Sequence, residues 1–103
     1  MLREVWMSIR VEKLNMYEGV TIKALLDSSA TRMFMDKRIV ARHRFKLQKL
    51  ERPIMVRNVD GTNNSKEAIM HKVECNVYYK GHVERIRMDI CDLGKTEVIL
   101  GMP

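Results

Sequence analysis

Between Glu4 and Lys13 apolar residues recur at every second position. Val5, Met7, Ile9 and Val11 fall on one side of the segment, with Glu4, Ser8, Arg10 and Glu12 on the other. In an extended chain successive side chains point to opposite faces, so this period predicts a half-buried strand over residues 4 to 13. Asn15 to Gly19 supplies turn residues, and Val20-Thr21-Ile22-Lys23-Ala24-Leu25-Leu26 resumes as a second strand that becomes continuously apolar towards Asp27. The two predict a hairpin. Residues 35 to 48, MDKRIVARHRFKLQ, set Ile39, Val40, Phe45 and Leu47 among charges behind a capping Asp36, which predicts a short amphipathic helix of imperfect period.

From Pro53 the pattern is again that of strands. Ile54-Met55-Val56-Arg57 leads into Asn58-Val59-Asp60-Gly61-Thr62-Asn63-Asn64-Ser65, whose Asp-Gly and paired Asn suit positive φ, and Ala68, Ile69 and Met70 form the return. A long hairpin with a polar tip is expected. Val73, Cys75, Val77 and Tyr79 alternate with polar neighbours, Gly81 turns the chain, and Val83, Arg85, Arg87 and Asp89 alternate with Glu84, Ile86, Met88 and Ile90. A last apolar run, Val98-Ile99-Leu100, follows the turn residues Asp92 to Lys95. The sum is a mainly β chain with one short helix.

Composition narrows this further. A chain of 103 residues has room for one hydrophobic core, and 46% hydrophobic with 31% charged residues, five Gly and two Pro is the balance of a folded globular chain. No run approaches the roughly 18 apolar residues of a membrane helix, and MLREVWMSIR is too charged for a secretory signal, so no membrane partner and a cytoplasmic location are expected. Asn63-Asn64-Ser65 matches the glycosylation pattern, which without a signal peptide is read as coincidence. Cys75 and Cys91 lack C-x-x-C spacing and are read as small buried thiols. Met33, Met35, Met55, Met70 and Met88 are read as core, a flexible thioether filling irregular gaps. His43, His71 and His82 lie far apart without paired Cys or acidic spacing, so neither a metal nor another cofactor is expected.

Nineteen Lys and Arg against thirteen Asp and Glu give a net charge of +6, concentrated between Arg32 and Arg57. Such a stretch could draw nucleic acid through counterion release, but its aromatics are only Phe34 and Phe45, and it has no nucleic-acid motif. A solvated basic face is the expectation, with nucleic acid an unlikely partner.

The candidate chemistry lies at Asp27-Ser28-Ser29-Ala30-Thr31, where a strand entering the core ends in a carboxylate and three hydroxyls. That is costly unless hydrogen-bonded. A turn or cap satisfies it as well as a reactive site does, because Asp and Ser bond nearby backbone N–H groups. A serine nucleophile at Ser28 or Ser29 is excluded by the lack of a Gly-flanked elbow.

Three segments in order, Ala24-Leu25-Leu26-Asp27-Ser28-Ser29-Ala30-Thr31, Arg52-Pro53-Ile54-Met55-Val56-Arg57-Asn58-Val59-Asp60-Gly61-Thr62 and Val98-Ile99-Leu100-Gly101-Met102-Pro103, together resemble the retropepsin-like aspartic protease domain of gypsy-class LTR retrotransposon Gag-Pol polyproteins. The first is similar to that family's active-site pattern, the second to its flap hairpin, and the third to the apolar-apolar-Gly segment beneath the active-site loop. The resemblance spans Val5 to Pro103 and implies a closed β-barrel with a flap hairpin and one short helix, a single domain over residues 1–103.

The resemblance also implies an aspartic endopeptidase that processes a retrotransposon polyprotein, in the cytoplasm or within virus-like particles. Its chemistry needs two facing carboxylates sharing a proton, and one chain offers only Asp27, so a homodimer acting on polypeptide substrate is implied. By position, Ser28 would bond the opposite active-site loop, and Ser29, Ala30 and Thr31 would support the loop. Asn58, Val59, Asp60, Gly61 and Thr62 would form the substrate-binding flap, and Ile99, Leu100 and Gly101 the floor. Two departures keep open an inactive dimerisation or peptide-binding domain: Ser29 stands where the family has Gly, and the family's C-terminal helix and strand have no counterpart before Pro103.

Overall fold

The computed structural model describes residues 4–57 and 66–102. Val5–Lys13 (β1) and Gly19–Asp27 (β2) form the expected antiparallel hairpin, in register from Val5↔Leu26 to Glu12↔Gly19. Alternation then decides burial: Ile9, Val11, Ile22 and Ala24 go inward, while Ser8, Arg10, Thr21 and Lys23 stay exposed.

Phe34–Asp36 (β3) runs into a seven-residue helix, Lys37–His43 (α1). Gln48–Arg57 (β4), Lys66–Tyr79 (β5), His82–Cys91 (β6) and Val98–Gly101 (β7) complete the described elements. Hydrogen-bonded neighbours follow the order β1-β2-β7-β3-β6-β5, and β5 pairs back onto β1 from Arg10↔Tyr78 to Lys13↔Cys75. Six strands thus close into a barrel, which leaves no open edge within the ring. Among the described residues β4 lies outside it, paired with β5. At the β5 to β6 corner Lys80 and Gly81 both have positive φ, 45° and 77°, a two-residue turn whose twist matches the strands it joins.

Two apolar clusters fill the interior. The larger gathers Ile9, Val11, Ile22, Met35, Ile39, Val73, Val77, Met88 and Val98 inside the barrel. The smaller gathers Phe34, Ile69, Cys91, Leu93 and Ile99, with Leu25, Ala30, Ile54 and Val56 packed against it. β2 and β7 contribute to both because each is apolar on both faces: Ala24 and Val98 face one cluster, Leu25 and Ile99 the other.

Several expectations are corrected. The helix covers seven residues and not 35 to 48. Met35 and Asp36 belong to β3, which pairs with β6 and β7, and Gln48 and Lys49 pair with β5 as the start of β4. Arg44 ends the helix in the left-handed region at φ 56°, with the Phe45 amide returning to the Val40 carbonyl. Strand pairing thus overrides a helical pattern that was irregular from the start. Met35 and Met88 are fully buried as expected, but Met55 and Met70 are exposed because they lie on the outward face of the β4–β5 ladder. Asp89 shares the Arg85–Arg87 side of β6 and yet is 1% exposed. The basic run from Lys37 to Arg52 is solvated: Lys37, Arg38, Arg42, Arg44, Lys46, Lys49 and Arg52 are all exposed. Cys75 and Cys91 are both buried, as expected, and burial pushes the Cys75 thiol up to about 12.

Candidate active site

β2 delivers Asp27 to the end of the barrel. Its last four residues run parallel to β7, pairing Ala24↔Val98, Leu25↔Ile99, Leu26↔Leu100 and Asp27↔Gly101. By alternation Asp27 shares a face with Leu25, the side of the smaller apolar cluster, which also carries Ile54 and Val56 from β4. A half-buried carboxylate therefore stands at the rim of an apolar cluster that β4 also borders.

The loop that follows folds back on the carboxylate. Ser29 donates twice to Oδ1 of Asp27, from its backbone N–H at 2.9 Å and from its hydroxyl at 2.6 Å, and the Ala30 amide donates to the Asp27 carbonyl at 3.2 Å. The Ser29 hydroxyl, its amide and the Ala30 amide lower the Asp27 pKa from its ordinary 3.8, against the opposing effect of burial. In a single chain the carboxyl is thus held ionised. Ser29, where the resemblance has Gly, fits in the loop of the single chain, and its hydroxyl is a donor to Asp27.

Gly101 holds the loop from below. A Cβ there would press on the carbonyl oxygen of Arg32 and lie 2.7 Å from that of Ala30, so only glycine lets β7 pass this close. The Met102 amide then donates to the Ala30 carbonyl at 2.8 Å. Asp27, Ser29, Ala30, Ile99 and Gly101 are brought together at one end of the barrel. Leu100 faces the larger cluster, and Ser28 and Thr31 are exposed on the loop. The expected flap residues Asn58, Val59, Asp60, Gly61 and Thr62 lie outside the described residues; the ladder leading to them reaches Arg57↔Lys66.

A family model described as the PEG10/RTL1 protease domain matches residues 23–103. The chain belongs to this family. The fold agrees with it. A crystal structure of the retroviral protease-like domain of Ddi1 from Leishmania major is similar to this chain with a TM-score of 0.55 at 17% identity, covering 92% of this chain and 70% of that one. The molecule is therefore a mainly β protease domain of retropepsin-like fold, and the matched span contains the loop from Asp27 to Thr31 and the floor strand β7.

Sequence reading missed a charged network beside the loop. Arg32 Nε donates to Asp89 Oδ2 at 2.5 Å, and Arg87 Nε lies 3.3 Å from Asp89 Oδ1. The alternation along β6 assigned Asp89 no burial, but it sits between buried Met88 and half-buried Ile90, and an acid that deep needs a cationic partner. Asp36 forms a second buried carboxylate. It accepts from the Arg38 amide at 2.9 Å, from Arg38 Nε at 2.7 Å and from the Leu93 amide at 2.8 Å. Burial alone would raise its pKa, but these donors outweigh it and the net shift is downward. Both networks are satisfied within the fold, which leaves Asp27 as the carboxylate at the loop that is open to a reactant. Among the described residues no group of three His, Cys, Asp or Glu side chains could hold a metal ion, and no helix is long and apolar enough to cross a membrane.

Proposed function

We propose that the domain is an aspartic endopeptidase that works as a homodimer, with Asp27 of each copy meeting across a twofold axis. The observation that carries this reading is the half-buried Asp27 carboxylate at the end of β2, on a glycine-backed loop in a chain of the protease-domain family. Two such carboxylates cannot both stay ionised at close range, so one retains a proton. The ionised partner takes a proton from water, whose oxygen attacks the scissile carbonyl carbon. The protonated partner gives its proton to the carbonyl oxygen, and proton return to the amine releases the cleaved peptide. Ser28 bonds the opposite loop, Ala30 and Thr31 support the substrate backbone, and Asn58 to Thr62 close over it. The substrate is an extended polypeptide, in this reading a retrotransposon-type polyprotein of gypsy-class origin processed in the cytoplasm or in virus-like particles.

One observation favours a second reading. The Ser29 hydroxyl occupies Oδ1 of Asp27, the oxygen a catalytic water would need, which suits a domain that keeps the fold and binds peptide or a second copy without turnover. Sedimentation across micromolar concentrations, with and without a statine-type inhibitor whose hydroxyl stands in for the attacking water, tests the first reading. A dimer tightened by inhibitor is expected. A monomer indifferent to inhibitor overturns it.

A further inference from the structure

Beyond the loop, Thr31, Arg32, Met33, Arg87 and Asp89 line a cavity of about 290 Å³ that opens to solvent. It adjoins Asp27 through the backbone: Gly101, the ladder partner of Asp27, lies directly under the Arg32 carbonyl. Its charge is unbalanced. Two guanidiniums share the single carboxylate of Asp89, each through Nε, and their side chains remain 38% and 41% exposed. The acid opposite Arg87 in the ladder, Glu74, is engaged by Arg85 at 3.1 Å and Lys72 at 3.6 Å. Arg87 also borders a neighbouring cavity of about 620 Å³, whose charged lining is Lys49, Arg52 and Lys72 against Glu51. A guanidinium anchored by Nε still offers its terminal N–H groups as a fork that matches a carboxylate.

We infer that Arg32 and Arg87 form a specificity subsite that selects a peptide carrying an acidic side chain, Asp or Glu, within two or three residues of the bond held at Asp27. Asp89 is the positioning residue: fully buried, it fixes both guanidiniums in place before the peptide arrives, so little ordering cost remains on binding. The inference rests on the peptide-binding part of the proposed function and not on turnover. An acidic substrate side chain also matches the net charge of +6, which favours encounter with anionic segments at low salt.

The test uses the full chain and a series of statine-centred hexapeptides that differ only in carrying Glu, Gln or Lys at the second or third residue from the statine. Glu peptides are expected to bind about tenfold more tightly than their Gln isosteres, the scale of one charge-assisted pair, and Lys peptides more weakly still. Arg32→Gln and Arg87→Gln should each shrink the Glu-to-Gln ratio, a within-variant comparison in which any general loss of affinity cancels, and raising salt should shrink it in the parent chain. The parallel substrate series separates the two claims. Cleavage with no acidic preference overturns the subsite and leaves the protease reading standing. Acidic preference in binding with no cleavage supports the subsite and removes turnover, and failure of every peptide to bind overturns both.

Discussion

Asp27 and Asp89 are chemically the same side chain in opposite surroundings. Asp27 ends its strand half-buried, with Ser29 two residues on donating to its carboxylate, whereas Asp89 is 1% exposed and gripped both by Arg87 two residues before it and by Arg32 from 57 positions away. A carboxylate held from several elements serves the fold, because removing it strands the charges around it. A carboxylate held only by its own loop can exchange those bonds for a reactant. The two acids differ in burial and in whether a partner arrives from a distant part of the chain.

The largest effect should follow Asp27→Asn. Loss of the general base is expected to lower peptide cleavage about a thousandfold, with the thermal midpoint nearly unchanged, since little of the fold depends on Asp27. A large fall in the midpoint would place Asp27 with the structural acids. Asp89→Ala should do the reverse, costing about 2–3 kcal/mol in urea unfolding by leaving two cations beside an emptied site; the exposed tips of the guanidiniums keep this below the range for fully buried pairs.

Asp36→Ala is expected to cost about 2 kcal/mol, as α1 loses its cap and the Leu93 and Arg38 amides lose their acceptor. Its folded pKa is lowered, so its contribution is present above the unfolded value of 3.8 and is lost as the pH falls through the folded value. Asp36→Asn should therefore flatten the acid limb of a stability–pH curve. Gly101→Ala should cost about 1–2 kcal/mol through overpacking against the Ala30 and Arg32 carbonyls, and it should impair cleavage more than stability because the displaced loop is the one that carries Asp27.

The smallest effect concerns Ser29→Ala. The Asp27 carboxyl should titrate upward, towards its ordinary 3.8, in a carbon-detected NMR titration of the monomer, because the leading cause of its lowering is the Ser29 hydroxyl. Stability should fall only slightly and only above the carboxyl's titration range, because a lowered folded pKa contributes above the unfolded value of 3.8 and nothing at lower pH. No change in the titration would mean that the hydroxyl does not hold Oδ1 in solution.

Much of this was legible from the chain alone. The period of two from Val5 to Val11 and from Val73 to Tyr79, the turn at Gly81 and the apolar run into Asp27 are local signals, and each appears as a strand, a turn or a strand end. The capping role of Asp36 was legible too, because an N-cap is bonded to its own helix. Phe34–Asp36 was not, since a three-residue strand exists only through its pairing with β6 and β7.

The sequence by itself determined the longer strands, the hairpin partners of neighbouring strands and the place of Asp27 at a strand end, because these depend on residues close together in the chain. Tertiary structure alone decided which carboxylates are consumed by the fold. It closed the barrel by pairing β5 with β1, carried Arg32 to Asp89 across 57 positions of sequence, and set Gly101 beneath the loop. Burial and charge pairing are properties of what meets across the sheet, and no local pattern encodes them.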